Sequence, residues 1–367
     1  MKMMTPQSEA DLAECIAGAS GPMWIQGGNT RGCSGSGAVL STRGLAGLTL
    51  YEPGSLTLVV KAGTPVAEVK ALLKGENQQL AFEPMDHRVL LGTAGEPTMG
   101  GLFAANVSGP RRIQAGAARD FLLGVRFVDG RGQVLRNGGR VMKNVTGYDL
   151  VKLMAGAHGT LGVLSEVSLK VLPLAETMTT VAVPNIDLAT GVRALCSALG
   201  SPFDVTGAAY DPQAQTAYVR LEGFAASVAY RARELIQRLS VFGQVEEVTG
   251  SAQLWRDIRD VRDFAGRPGD VWRISVKPTD AIGLIPALGA IRTLCDWGGG
   301  LVWALMPEGD DVRAKMTVPG HATLVRATSN TNRAARHHPE TAPLAALSAG
   351  LREQFDPRGI LNPGLMG

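Results

Sequence analysis

Two glycine-rich segments hold the residues most able to do chemistry in this sequence. Residues 26–37 read QGGNTRGCSGSG, and residues 92–109 contain the pair Gly100 and Gly101. Glycine lets the main chain approach a ligand closely and adopt dihedral angles that other residues reach only at a cost. Several backbone N–H groups can then converge on a phosphate without any lysine. The sequence therefore predicts a phosphate site formed by main-chain amides.

No common nucleotide-binding fingerprint accompanies these glycines. The chain contains neither GxGxxG nor GxxxxGK[ST], which disfavours both a Rossmann fold and a P-loop. Each segment taken alone is also compatible with an ordinary turn. Two such segments in one region favour a cofactor site of another type.

Short strands and helices must position both segments. A strand is expected at residues 23–26, directly before the first segment, and a capped helix precedes that strand. Residues 56–61 are predicted to form a further strand, after which Thr64 is expected to cap a helix that has Pro65 at its first position. A helix of small residues at 102–107 is expected within the second segment.

The rest of the chain predicts a second domain. Residues 129–132 (DGRG) indicate a hairpin between strands at 121–128 and 133–136, because Asp-Gly is a strong turn signal. A long alternating strand at 161–172 ends at Pro173. Since 367 residues exceed the size at which one core keeps growing, we expect a domain boundary there. Beyond it, short strands alternate with longer helices, which predicts an antiparallel sheet covered on one face; no internal repeat is visible.

Longer runs of residues resemble a known family. Residues 26–35 resemble the first phosphate loop of the vanillyl-alcohol-oxidase flavoproteins, which have a PCMH-type FAD-binding domain. Residues 97–101 and 106–109 resemble the second phosphate loop of that family. The run VMKNVTGYDL at 141–150 looks like the FAD-binding subunits of glycolate oxidases in particular. The closing run FDPRGILNPG at 355–364 is similar to the segment that returns to the flavin in this family.

The resemblance implies an α+β fold in three sections. A PCMH-type FAD-binding domain made of two subdomains would occupy residues 1–175. An α+β cap domain of antiparallel sheet with helices would follow at 176–340, and a C-terminal helix and tail at 341–367 would return to the FAD domain. The resemblance covers most of residues 20–175 and the C-terminus, whereas the middle is recognised only by its place in the order.

The implied cofactor is FAD. Covalent members of this superfamily tether the flavin through a His or Cys in the first loop, whereas the corresponding stretch here is Gly28-Asn29-Thr30. Cys33 lies close by and is interpreted as a small buried thiol. We therefore expect non-covalent FAD. The expected cofactor-binding residues are Gln26, Gly27, Gly28, Asn29, Thr30, Thr98, Gly100, Gly101, Asn106, Ser108, Gly109, Gly159, Gly162, Val163 and Asn362.

The same resemblance implies a function within a complex. The chain would be the FAD-binding subunit of a glycolate oxidase that oxidises glycolate, a 2-hydroxy acid, to glyoxylate. Its partners would be a larger FAD-containing catalytic subunit and an iron–sulfur subunit that receives the electrons. Two other hypotheses stay open, namely a self-sufficient FAD-dependent 2-hydroxy-acid dehydrogenase and a structural subunit with a degenerate flavin site.

The sequence does not identify a catalytic residue or a metal site. The HxGDGNxH segment of the larger 2-hydroxy-acid dehydrogenases is absent, and His87, His158 and His321 stand alone. Arg111 and Arg112, just after the second segment, are candidates for contacts to a carboxylate or a phosphate. A metal or iron–sulfur ligand set is not expected from the widely separated cysteines, which are Cys15, Cys33, Cys196 and Cys295.

Composition and charge further restrict the classes of protein to which this chain could belong. A hydrophobic content of 45% with 19% charged residues is typical of a soluble globular protein. The formal net charge is +3 and the basic residues are scattered, which gives no case for nucleic acid. No apolar signal region follows Met1, and the apolar run at 281–291 is too short to span a bilayer. We expect a cytoplasmic protein without membrane insertion, held at a membrane, if at all, through its partners.

Overall fold

The computed structural model describes residues 3–32, 35–140, 147–328 and 336–366. The first part of the chain combines small sheets with short helices. Its strands are β1 (Met3–Met4), β2 (Met23–Gln26), β3 (Ala38–Ser41), β4 (Leu48–Glu52), β5 (Thr57–Lys61), β6 (Gln78–Gln79), β7 (Leu122–Val128), β8 (Val134–Gly138), β9 (Val163–Lys170) and β10 (Leu172–Pro173). Its helices are α1 (Glu9–Ala17), α2 (Val66–Gly75), α3 (Arg88–Leu91), α4 (Met99–Ala104), α5 (Arg112–Ala115), α6 (Ala118–Phe121) and α7 (Leu150–Met154).

An antiparallel sheet in the order β4-β5-β9-β7-β8 carries the main core of this part. The central strand β9 buries Val167 and Leu169, which pack in one cluster with Leu73 of α2 and Phe103 of α4. The strands β7 and β8 pair as a hairpin around residues 129–132. The hairpin that the Asp-Gly turn predicts is therefore present.

A parallel sheet in the order β1-β3-β2 supports the first glycine segment and receives the C-terminus. Helix α1 begins after Ser8, whose hydroxyl accepts a hydrogen bond from the backbone amide of Asp11. Met23 of β2 pairs with Leu361 of the tail. Because both residues lie in one buried cluster with Leu12 of α1, the end of the chain is fixed beside the strand that leads into the first segment.

The start of α2 differs from the sequence prediction. The N-cap of this helix is Pro65, which makes no side-chain capping bond. The hydroxyl of Thr64 instead accepts a hydrogen bond from the amide of Gly47 at 3.0 Å. The prediction that Thr64 caps the helix was wrong, since a tertiary contact with a neighbouring loop engages the same hydroxyl that a cap would need.

The second part of the chain is one antiparallel sheet with helices. Its strands are β11 (Thr177–Val183), β12 (Gly207–Asp211), β13 (Thr216–Gly223), β14 (Glu246–Val248), β15 (Asp270–Val276), β16 (Arg292–Asp296), β17 (Leu301–Met306) and β18 (Gly320–Arg326). Its helices are α8 (Leu188–Leu199), α9 (Ala225–Leu239), α10 (Ala252–Arg259), α11 (Ala281–Leu288) and α12 (Val312–Lys315), and α13 (Ala342–Phe355) leads into the tail.

The topology of this sheet repeats, although the sequence shows no repeat. The strand order is β14-β11-β13-β12-β16-β17-β15-β18. Counted outward from the contact between β12 and β16, each half has its second, third, first and fourth strand in that order. Each half has a helix after its first strand and a second helix before its last. A shared topology needs only a similar spacing of apolar residues in each half, which explains why no residue-level repeat accompanies it.

The two faces of the large sheet have different neighbours. Helices α8, α9 and α11 cover one face with apolar residues such as Leu195, Leu235 and Leu284. The opposite face packs Val271 and Trp303 against α10 and against Met85 and Leu90 of the first part. An antiparallel sheet covered by helices on one face is confirmed, and its other face forms the interface between the two parts. In the described ranges, no helix is long and apolar enough to cross a membrane.

Candidate functional site

The first glycine segment lines a cleft. It follows β2 directly, and Gln26, Gly27, Gly28 and Asn29 contribute to a cleft of about 590 Å³. Residues 93–95, which precede α4, contribute to the same cleft. The structure therefore brings part of the second segment to the first, as an anion site formed by both would require.

Backbone amides of the first segment lack protein partners. Gly28 is buried, and within the described ranges the amides of Gly28, Asn29 and Thr30 donate to no other group. Asn29 has a φ of 53°, in the left-handed region. A buried N–H without a partner is rare in folded proteins. Successive unpaired amides in a turn suit an anion such as a diphosphate.

Some glycines in these segments are required by the protein itself. A Cβ at Gly28 would lie 1.5 Å from the carbonyl oxygen of Glu96, and one at Gly95 would lie 1.6 Å from that of Gly28. The two segments thus pack backbone against backbone. At Gly101, in contrast, the nearest atom is Oγ1 of Thr98 at 3.1 Å, a tight contact that a small shift of the threonine side chain would relieve.

Three amides of the second segment, at the start of α4, already have partners. Those of Met99 and Gly100 donate to the carbonyls of Thr64 at 2.9 Å and Ala62 at 2.7 Å. The amide of Gly101 donates to the hydroxyl of Thr98 at 3.3 Å. These three amides are engaged within the protein, and the prediction that main-chain amides of both segments grip a diphosphate stays a prediction. Thr98 and Gly100 are buried, and a Cβ at Gly100 would lie 2.6 Å from the Cβ of Ala62, so the packing of the protein itself requires that glycine.

The polar residues of the second segment hold a neighbouring turn. Asn106 Oδ1 accepts a hydrogen bond from the amide of Arg119 at 3.0 Å, and Ser108 Oγ accepts one from the amide of Ala118 at 2.9 Å. A Cβ at Gly109 would lie 2.2 Å from a backbone oxygen of the preceding loop. These contacts give all three residues a structural role, and their contact with the cofactor stays a prediction.

Asn362 connects the tail to the first segment. Its Oδ1 accepts a hydrogen bond from the amide of Ile25 at 2.7 Å, and its Nδ2 donates to the carbonyl of His158 at 2.8 Å. The side chain is 2% exposed. Because both ends of its amide bind backbone groups of the first part, Asn362 fixes the strand that carries Gln26 and the turn that carries Gly159.

The remaining predicted residues lie at or next to β9. Gly159 has a φ of 74°, a conformation that favours glycine. A Cβ at Gly162 would lie 2.7 Å from a phenylalanine ring, and Val163 begins β9 in the core. The family-like run at 141–146 and Cys33 lie outside the described residues.

His87 and His158, which stand alone in the sequence, share their charged neighbours with His337. The rings of His158 and His337 meet edge to face, with centroids 5.0 Å apart. Burial lowers the pKa of His87 to about 3 and that of His337 to about 4, and it also lowers the pKa of His158. The positive charges of Arg31 and Arg336 lower all three pKa values further. The imidazoles are therefore neutral near pH 7, the form that accepts a proton.

Two arginines share the indole ring of Trp297. The guanidinium carbon of Arg112 lies 4.6 Å from the ring centroid and that of Arg273 lies 5.1 Å from it. Arg111 is engaged differently, because its guanidinium donates to both carboxylate oxygens of Glu222 at 2.8 and 2.9 Å. Of the two arginines that the sequence offered for an anion contact, Arg112 is the one without a carboxylate partner in the described ranges.

A buried acid lies next to this ring in the chain. Asp296 is 3% exposed, and its Oδ1 accepts a hydrogen bond from the amide of Trp297 at 2.7 Å. Burial raises the pKa of Asp296 to about 7. The sequence analysis missed Arg273, Asp296 and Trp297, although the glycine run at 298–300 directly after a strand could have drawn attention to them.

Comparisons with known proteins support a flavin site. Residues 2–138 match the family model described as an FAD binding domain. The chain is 37% identical to glycolate oxidase subunit GlcE of Escherichia coli K12 over 352 residues, which cover 94% of this chain and 92% of that protein. It is 30% identical to glycolate oxidase subunit GlcD of Bacillus subtilis over 175 residues, which cover 46% of this chain and 36% of that protein. It is also 30% identical to a D-lactate dehydrogenase of Archaeoglobus fulgidus, over 44% of this chain and 36% of that protein.

A solved structure of alkyldihydroxyacetonephosphate synthase has the same fold. It superposes with a TM-score of 0.72 at 17% identity, and the match covers 98% of this chain and 76% of that one. The prediction of an α+β fold with a PCMH-type FAD-binding domain and an antiparallel sheet is confirmed.

FAD is the cofactor of this fold family, and the first segment suits it. The unpaired amides of Gly28 and its neighbours fit the oxygens of a diphosphate. The chain belongs to the family of FAD-binding oxidoreductases that includes glycolate oxidase subunit GlcE.

Proposed function

We propose that this chain is the FAD-binding subunit of a complex that oxidises glycolate to glyoxylate. The observation that carries this proposal is the similarity to subunit GlcE along almost the full length of both chains. A shared FAD domain alone would support only a flavoprotein, since many unrelated activities use one fold. Similarity that also extends through the second part favours the same place in the same kind of complex.

The site residues have distinct proposed roles. FAD, when bound, supplies the acceptor for a hydride from the carbon that bears the substrate hydroxyl. Gln26, Gly27 and Gly28 would hold its diphosphate through main-chain groups. The rest of the predicted set would position or contact the cofactor without a covalent bond, and these are Asn29, Thr30, Thr98, Gly100, Gly101, Asn106, Ser108, Gly109, Gly159, Gly162, Val163 and Asn362.

A subunit that takes part in this oxidation has to exchange electrons with its partners. The proposed complex contains a larger FAD-containing subunit and an iron–sulfur subunit that takes up the electrons, as the family resemblance implies. The name of the Bacillus relative, glycolate oxidase subunit GlcD, is in keeping with a second flavin-binding subunit. We further propose residues 1–175, 176–340 and 341–367 as its sections, and a cytoplasmic location with any membrane contact made through the partners.

A self-sufficient dehydrogenase is the second candidate. The edge-to-face contact of His158 and His337 favours it, because hydride removal from a 2-hydroxy acid needs a base for the hydroxyl proton and imidazole is the most common such base. The unpaired Arg112 and Arg273 favour it as well, since a substrate carboxylate needs a cation. Both candidates keep the flavin site, and they differ in where the substrate is oxidised.

One experiment separates these candidates. The absorbance spectrum of the chain would be recorded after purification alone and again with its partners, before and after anaerobic addition of glycolate or D-lactate. Loss of the yellow flavin absorbance only in the complex supports the subunit proposal. Loss in the isolated chain on the timescale of turnover supports the self-sufficient enzyme. A chain that stays colourless after reconstitution with FAD would contradict both and indicate a structural subunit.

A further inference from the structure

Trp297 joins the two parts of the chain at one point. It follows β16 directly, and its indole N–H donates to the carbonyl of Gly109 in the first part at 3.1 Å. Arg112, over the same ring, belongs to α5 of the first part, and Arg273 belongs to β15 of the second. Each part therefore contributes one guanidinium to the surroundings of one indole.

Neither guanidinium forms an ion pair or a hydrogen bond with a carboxylate within the described part of the chain, although the charge of Asp120 acts on Arg112 and that of Asp296 on Arg273 from a longer distance. This distinguishes them from Arg111, Arg220 and Arg259, each of which pairs with a carboxylate at 2.8 Å or less. Burial lowers the pKa of both side chains, and the charge of Arg112 lowers that of Arg273 further, to about 10. A partly buried cation without a partner is costly, and two that face one ring repel each other.

Neighbouring strands place further polar groups on the same face of the sheet. Arg273 is paired in register with Thr323 of β18, and Ser275 is paired with His321. Since alternate residues of a strand share a face, these four side chains lie on the face that carries Val271 and Trp303. Burial lowers the pKa of His321, and the charges of Arg273 and Arg112 lower it further. The electrostatic effect of both cations therefore reaches this residue.

We propose that Arg112 and Arg273 bind the carboxylate of a small organic acid beside Trp297. Guanidinium groups form paired hydrogen bonds with planar carboxylates, and the charge of Arg112 acts on Arg273, so a small anion near both would be attracted by both. The indole would supply the apolar wall against which the carbon chain of the acid packs. The ligand class is deduced from these residues, and its identity as a 2-hydroxy acid rests on the proposed function.

Binding of such an anion would also strengthen the interface between the two parts of the chain. Arg112 and Arg273 come from different parts of the chain, so one carboxylate bridging them adds a contact between the parts. The ligand would then stabilise the folded protein by an amount set by its concentration and dissociation constant. This stabilisation gives a readout that does not depend on catalysis.

The test measures thermal stabilisation of the purified FAD-loaded chain by acetate and by glycolate. Ethylene glycol serves as an analogue without a carboxylate, inorganic phosphate as a different oxyanion, and sodium chloride keeps the ionic strength constant. Wild-type protein should be stabilised by both carboxylates and not by ethylene glycol. Arg112→Gln and Arg273→Gln should each weaken carboxylate binding about tenfold to a hundredfold, whereas Arg262→Gln, at an exposed arginine, should not change it.

Two further measurements protect the interpretation. Without ligand, Arg273→Gln should melt at the same temperature as wild type or higher, because it removes an unpaired cation, so weak binding cannot be ascribed to unfolding. Arg273→Lys should lie between wild type and Arg273→Gln, because it keeps the charge and loses the planar fork. The FAD content of all variants should be unchanged.

Several results would overturn the proposal. They are stabilisation by sodium chloride or phosphate equal to that by acetate, wild-type carboxylate binding in both glutamine variants, or loss of FAD in Arg112→Gln, which would assign that arginine to the cofactor. The proposed function is judged separately by glycolate turnover of the wild-type complex. Arginine-dependent acetate binding without glycolate turnover would retain the site and reject the function.

Discussion

Two arginines that are neighbours in the sequence have opposite surroundings at the interface between the two parts of the chain. Arg111 is held by both oxygens of Glu222, a residue of β13. Arg112 lies over Trp297 without a carboxylate in the described ranges. Both arginines lie at the same interface, and the residues of the neighbouring strands determine which of the two is paired with a carboxylate.

The paired region is a reciprocal network of charges. Arg111 of the first part binds Glu222 of the second, and Arg220 of the second binds Glu83 of the first at 2.8 and 3.0 Å. Arg220 is 1% exposed. The pKa of Glu222 is about 2, because the two arginines outweigh the effect of burial. Each part thus supplies one carboxylate and one guanidinium, so the charges of this region are balanced without a ligand.

The unpaired region has the opposite property. The side chains that meet there, Arg112 and Arg273, carry the same charge and lie over one indole. Binding of an anion would stabilise a region of this kind, whereas any disruption of the paired network would destabilise the interface. The comparison suggests that the first region holds the two parts together and that the second is reserved for a ligand.

The largest effect on stability is expected from Arg220→Met. The change leaves Glu83 buried without its main partner and removes one partner of Glu222. Breaking a buried ion pair on one side costs about 3–5 kcal/mol of unfolding free energy. Urea unfolding followed by far-ultraviolet circular dichroism measures this loss.

The matched control for that variant is Arg262→Met. Arg262 pairs with Asp257 at 3.8 Å, and its side chain is 62% exposed. Exposed pairs of this kind contribute at most about 1 kcal/mol. If Arg220→Met lost no more stability than this control, the paired network would not hold the interface.

A smaller effect, dependent on pH, is expected from His337. The pKa of His337 is about 4 in the folded protein and about 6.5 in an unfolded chain. Between these values the unfolded state takes up a proton first, so stability falls as the pH drops from about 6.5 to about 4. For this residue the loss amounts to about 3 kcal/mol. His337→Gln should flatten that part of the profile when apoprotein unfolding is followed at several pH values.

Asp296→Asn tests a dependence of stability on pH that has the opposite sign. Because burial raises the pKa of Asp296 to about 7, its contribution to stability should fall as the pH rises from about 4 to about 7. Both groups act over nearly the same pH range with opposite signs, so the asparagine variant should make stability rise more steeply between about pH 4 and 7, whereas the histidine variant should make it rise less steeply. Equal slopes for both variants would mean that neither group controls the profile.

Local signals in the sequence were sufficient for many elements. The strand Met23–Gln26 and the helix Ala342–Phe355 have the predicted bounds, and the Asp-Gly turn identified the hairpin of β7 and β8. These features depend on residue spacing and turn chemistry within a few positions. Thr64 was misjudged because its partner, Gly47, is distant in the sequence.

The distribution of charge between the two regions could not be predicted in the same way. Nothing in the sequence distinguishes Arg111 from Arg112, because their surroundings come from Glu222 and Trp297, more than a hundred residues further on. The approach of His158 to His337 likewise depends on how the second part docks on the first. A single sequence shows which residues could do chemistry, but their grouping depends on long-range packing.

The smallest effect on stability, and a large one on cofactor binding, is expected from Gly101→Val. The added Cβ would lie 3.1 Å from Oγ1 of Thr98, so a small shift of that side chain would be needed to admit it. Glycine and valine differ by less than about 1 kcal/mol in helix propensity, so apoprotein stability should change by no more than that. FAD affinity should fall at least about tenfold, since a few crowded contacts of ~1.4 kcal/mol in total suffice.

Gly283→Val is the control, because Gly283 also lies in a helix and a Cβ there would meet no atom within 4 Å. FAD titration of the apoprotein, followed by flavin fluorescence, should separate the two variants. If Gly101→Val bound FAD as tightly as Gly283→Val, the second segment would not touch the cofactor. Its paired amides would then mean that it only supports the first segment, and Gly28 with its unpaired neighbours would hold the diphosphate without it. This outcome would extend the contrast between paired and unpaired groups from the arginines to the backbone.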